Sequence, residues 1–122
     1  MFKEISIGDR KVAMLANGAT PIYYKMVFNK DLISKVYGAE DRLGEVNDCA
    51  PEIAYIMAKQ AERANNPAIS MSTLNFDSFI EWLESFEATS ILMSSEEIMD
   101  LYFHDVKPSS EAKKKPGKQK EN

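Results

Sequence analysis

A single cysteine and a single histidine among 122 residues remove several kinds of chemistry at once. Cys49, having no second cysteine, makes no internal disulfide and no zinc site built on paired thiolates, and it fits a reducing compartment. His104 has no partner at ligand spacing, so neither a catalytic triad nor a metal site can be assembled around it. Near the end of a helix it reads first as a side chain facing solvent or the last helical carbonyls. The five glycines, Gly8, Gly18, Gly38, Gly44 and Gly117, are scattered, and no phosphate-cradling loop of known spacing is present. No stretch approaches the roughly 20 uncharged apolar residues that a membrane helix needs. The start, Met1-Phe2-Lys3-Glu4-Ile5-Ser6-Ile7, alternates charged and apolar residues and reads as neither a signal nor a transit peptide. These absences point to a cytoplasmic protein that needs no cofactor and is no enzyme.

Charge is present but unevenly placed. The chain has 15 basic and 19 acidic residues, a formal net charge of −4. Residues 107–122 hold six lysines and two glutamates, which leaves 9 basic and 17 acidic residues, or −8, for residues 1–106. So acidic a body repels phosphate backbones and argues against duplex recognition. Glu81, Glu84 and Glu87 lie three apart and read as a solvated face rather than a metal or acid–base site. Glu40-Asp41 and Glu96-Glu97 read the same way.

Apolar periodicity gives the organisation. Phe2, Ile5 and Ile7 alternate roughly with polar residues as in a strand, Gly8-Asp9 supplies a turn, and Lys11–Leu15 reads as a second strand. Thr20 as cap and Pro21 at the first helical position open a helix. Ile22, Met26, Ile33 and Val36, with Tyr23, Val27 and Tyr37 beside them, recur at helical spacing up to Gly38. Asn29-Lys30-Asp31 can kink this stretch or split it in two. Residues 39–46 form a polar loop. Asn47 or Asp48 caps the next helix, with Pro51 in its first turn. Its rows Ile53/Met57/Ala61 and Ala50/Ala54/Ala58 allow close helix approach and place it centrally, and Asn65-Asn66-Pro67 ends it. Asn75 caps an amphipathic helix on which Phe76, Phe79, Ile80 and Leu83 form a stripe widened by Trp82 and Phe86. Ser94-x-x-Glu97 opens a last helix with Ile98, Leu101 and Tyr102 inward. The tail, with Ala112 as its one aliphatic residue, buries too little to offset chain entropy and is expected to be disordered. The expected fold is mainly α, formally α+β: a short N-terminal β-hairpin and a bundle of four to five helices, one domain over residues 1–106, with a disordered Lys-rich tail over 107–122. Whether the two strands pair within one subunit or between subunits stays open.

Seven methionines and a dense set of aromatics in so small a domain are more than one core can bury fully. Each reads as core first, yet some apolar surface must remain outside, and with it a partner or self-association. Tyr24, Phe28 and Trp82, with the tail lysines Lys113, Lys114 and Lys115, are the candidate partner-binding residues.

Two longer stretches resemble a known family. Ala19-Thr20-Pro21-Ile22-Tyr23-Tyr24-Lys25-Met26-Val27-Phe28-Asn29-Lys30-Asp31-Leu32 resembles the segment after the N-terminal hairpin in tail assembly chaperones of siphophages and prophages of Gram-positive hosts. It has the same order of Thr-Pro pair, aromatic-basic pair, Phe three residues on, and Asp-Leu pair. Phe79-Ile80-Glu81-Trp82-Leu83-Glu84-Ser85-Phe86 is similar to the later acidic-aromatic helix of that family, and Tyr55-Ile56-Met57-Ala58-Lys59 to its middle helix. The likeness covers residues 2 to about 106, and none of its motifs is catalytic. The sequence departs from the pattern where Tyr102-Phe103-His104 stands in place of a tryptophan-bearing end.

The resemblance implies a chaperone that coats the long, helical, aggregation-prone tape-measure protein before the tail tube polymerises around it. Such a chaperone is absent from the mature virion. It also implies that slippage at the adenine-rich codons of Lys113-Lys114-Lys115 can produce a longer, frameshifted form that recruits the major tail tube protein. The plain alternative for those lysines is a solubilising tail. The rival reading of the chain is a small phage-encoded regulatory or adaptor protein that contacts nucleic acid through its basic tail.

Overall fold

The computed structural model describes residues 1–31 and 49–106. Strands β1 (Phe2–Ile7) and β2 (Arg10–Leu15) pair antiparallel within the chain, from Phe2 opposite Leu15 to Ile7 opposite Arg10. The two-residue loop puts Gly8 at φ 65°, the positive φ that the first central position of a type II′ hairpin turn requires. Alternation then turns Ile5, Ile7 and Met14 into the core, while Phe2, Glu4 and Ser6 lie on the other face.

Five helices follow: α1 (Thr20–Phe28), α2 (Ala50–Asn65), α3 (Phe76–Glu84), the one-turn α4 (Ser90–Met93) and α5 (Ser95–Val106). A 3₁₀ turn at Met71–Thr73 interrupts the loop before α3. The expected hairpin-plus-helices fold is therefore what the chain adopts. Helix α2 is the axis of the molecule and packs against β2, α1, the 3₁₀ turn and all three later helices. Both rows foreseen on it are buried: Ile53, Met57 and Ala61, and the alanines at 50, 54 and 58. Pro51 lies in its first turn. Short alanine side chains let neighbouring elements come close, which is why one helix can serve so many partners.

Local signals differ from the expectation in three places. Thr20 is the first residue of α1, and Ala19 holds the cap position without a side-chain bond. The Thr20 hydroxyl instead accepts from the Asn17 backbone N–H at 3.0 Å and donates to Gln60 Oε1 at 2.7 Å, joining the β2–α1 turn to α2. Helix α1 ends at Phe28 with Asn29 in the left-handed conformation (φ 56°), so the Asn29-Lys30-Asp31 signal is a stop. The Ser94 hydroxyl donates to the carbonyls of Ser6, at 2.9 Å, and Ser90, tying the start of α5 to the hairpin. The Asn75 cap is as expected: its side chain accepts from the Ser78 N–H while Ser78 Oγ accepts from the Asn75 N–H. The inward set Ile98, Leu101 and Tyr102 on α5 is buried, as foreseen. The expectations at Ile33, Val36, Tyr37 and Gly38, the 39–46 loop, the Asn47 or Asp48 cap and the tail all lie outside the described residues.

Candidate interaction surface

The candidate partner residues Tyr24 and Phe28 are core. Tyr24 is 0% exposed, and with Thr20 and Phe28 it forms the buried row of α1. Phe28 packs on Tyr24, Tyr55 and Phe79, with ring centroids 5.1, 6.5 and 4.9 Å away. The aromatic chain continues from Tyr55 to Trp82 (5.6 Å) and on to Phe86 (4.9 Å). Trp82 is thus half-buried at the outer end of a stack running through α1, α2 and α3. The guanidinium of Arg10 caps that end, 4.0 Å from the Phe86 centroid, and donates to the Ser85 carbonyl and hydroxyl. Lys113, Lys114 and Lys115 lie outside the described residues.

Burial sets the chemistry of the two core phenols. Desolvation raises the Tyr24 pKa far above its ordinary value, and its hydrogen bond to Glu52 raises it further. Glu52 is held from the other side by Lys30 at 3.0 Å. The Tyr55 pKa is also raised, first by desolvation, against the bond to Ser78 that lowers it. Both groups stay neutral hydrogen-bond partners, and both tie α2 to a neighbouring helix.

What faces outward on α1 is the row expected to be inside. Ile22 is 69% and Met26 45% exposed. The helix is apolar on nearly every side, so spacing alone does not choose its face. The aromatic row is selected because Tyr24 and Phe28 reach partners on α2 and α3 while Thr20 reaches Gln60. Ile22 and Met26 form a ridge with depressions on either side. One, of about 380 Å³, is lined by Pro21, Ile22, Lys25, Met26 and Asp31. A second, of about 430 Å³, lies between Tyr23 and Met26 on one wall and the 67–72 loop on the other. A third, of about 330 Å³, shares Tyr23, Arg63, Pro67 and Met71 with the second and extends to Leu15 and Ala19. Shared walls make these one apolar trough along the length of α1, floored by the buried Met71 and crossed by Arg63, which donates to the Tyr23 hydroxyl at 3.3 Å.

No family model, curated protein or solved structure matches this chain. A second exposed apolar pair, Leu92 (65%) and Met93 (82%), stands on α4, away from the trough. His104 and the carboxylates of Glu81, Glu84 and Glu87 are exposed. Among the described residues no helix is long and apolar enough to cross a membrane, and no cluster of three or more His, Cys, Asp or Glu side chains is placed to hold a metal ion. Sequence reasoning missed Ile22, Met26 and Arg63 as surface candidates. The signal that pointed to them was the all-round apolar character of residues 20–28, which leaves one face outside whichever row is buried.

Proposed function

We propose that this chain is a tail assembly chaperone of a long-tailed phage or prophage. It binds the tape-measure protein in the host cytoplasm, keeps it soluble until the tube encloses it, and is left out of the mature virion. One observation carries this reading: the segment that bears the resemblance, residues 19–31, also forms the wall of the apolar trough, with Ile22 and Met26 outward. A tape-measure protein exposes apolar helix faces before assembly, and a groove edged by adaptable methionine suits such a face. The net charge of −8 on residues 1–106 keeps a coated complex soluble. The reading is of a binding protein that performs no covalent chemistry, and each copy binds modestly because tube subunits must displace it.

The test is co-expression with the tape-measure protein encoded beside its gene, comparing the soluble fraction with and without this chain. A several-fold rise in soluble tape-measure protein is expected. Equal precipitation in both cases would refute the role.

A further inference from the structure

The charges around the trough do not follow those of the molecule. Residues 1–106 are strongly acidic, yet the charged side chains lining the three depressions are Lys25, Arg63 and a single carboxylate, Asp31, at one end. The ion pairs among the described residues engage Lys3, Lys30 and Lys59, not Lys25 or Arg63. Glu62, next to Arg63 in sequence, is taken up by Lys59. Two cations therefore flank an apolar ridge on an otherwise negative surface. The ridge itself is exposed well beyond what a scattered surface residue explains, and it is continuous with the depressions beside it.

We propose that the trough is a helix-docking groove whose occupant is an amphipathic helical segment with carboxylates flanking its apolar face. Length fits: the nine residues of α1 span about 13 Å, the reach of two to three turns of a second helix lying alongside. Apolar side chains of the occupant enter the depressions on either side of Ile22 and Met26, and its carboxylates meet Lys25 and Arg63. A lysine-flanked helix, though drawn to the acidic body at long range, sets like charge against those two cations on docking. That the partner is a tape-measure segment rests on the chaperone reading above, whereas the docking chemistry rests on the trough.

The experiment is fluorescence anisotropy with two labelled 18-residue helical peptides. Both carry leucines at i, i+3, i+4 and i+7, one flanked by glutamates and the other by lysines. The glutamate peptide is expected to bind the full chain at least about fivefold more tightly at moderate salt. Met26→Glu and Ile22→Glu, both at exposed positions, weaken it by about tenfold or more, and Arg63→Glu reverses the preference toward the lysine peptide. Leu92→Glu, outside the trough, leaves both affinities unchanged. Equal or tighter binding of the lysine peptide would overturn the proposal, as would an Arg63→Glu variant with an unaltered preference. So would a loss in Leu92→Glu equal to that in Met26→Glu. Failure here and failure of the chaperone role are separable. Protection of a tape-measure protein that survives both Met26→Glu and Arg63→Glu removes the groove and keeps the role. The expected peptide pattern without protection removes the role and keeps the groove.

Discussion

Gly8 and Gly18 are both turn glycines, and the structure assigns them opposite importance. Gly8 sits at φ 65°, and a Cβ built there would stand 3.0 Å from Ser90 Oγ. Gly8→Ala is expected to lose about 1–2 kcal/mol, because an L side chain is strained at that φ and Ser90 must also move. Gly18 has open space around it and no positive φ, so Gly18→Ala should be neutral or gain up to about 1 kcal/mol through the unfolded chain. Urea unfolding of the two variants checks both signs. Tyr24 supplies a pH test at the same scale. Its folded-state pKa is raised, so its contribution is fully present below the unfolded value of about 10 and is lost as pH climbs above it. Tyr55 shifts in the same direction. Stability should therefore fall above pH 10 by up to about 1.4 kcal/mol per pH unit for each of the two phenols. Tyr24→Phe loses the bond to Glu52 and should be about 1 kcal/mol less stable at pH 8, with the deficit shrinking as pH rises past 10. A deficit that stays constant from pH 8 to pH 11 would contradict the buried, neutral role of this hydroxyl.

At the scale of elements, the most local signals were also the most readable. Asn75 caps α3 through a reciprocal pair of bonds with Ser78, both on residues three apart. Asn75→Ala should cost about 1 kcal/mol in thermal or urea unfolding, and Asn75→Ser should recover most of it. The hairpin, the alanine rows of α2 and the inward set of α5 were legible for the same reason, since each depends on spacing within a few residues. Helix α1 was legible as a helix but not in its orientation. Its sequence is apolar almost all round, so its face was settled by partners far along the chain: Glu52, Tyr55, Gln60 and Phe79. The candidate interaction surface inherited that error. Tyr24 and Phe28 were nominated as partner contacts because they are large aromatics, and size is also what makes them the best core residues. Ser94 illustrates the same limit. Its Ser-x-x-Glu spacing reads as a capping box, but its hydroxyl is directed 88 positions back to the Ser6 carbonyl, a contact that local spacing does not encode.

Across the whole molecule, stability and charge are carried by different parts of the chain. The buried set is centred on α2 and drawn from the hairpin, α1, α3, α4 and α5, all within residues 5–102. Residues 107–122 contribute one aliphatic side chain and a charge of +4. Ending the chain after Val106 should therefore leave the unfolding midpoint within about 2 °C of the full chain, since surface changes away from the core cost little. The same truncation moves the net charge from −4 to −8, so elution from an anion exchanger should shift to clearly higher salt. It also bears on partner binding. A groove that works through Lys25, Arg63 and the Ile22/Met26 ridge keeps its peptide affinity without the tail, because all four residues belong to the body. A truncated chain that unfolds normally but loses the glutamate peptide would place the decisive cations among the tail lysines instead. A large fall in midpoint would mean that residues 107–122 supply packing which their composition does not provide.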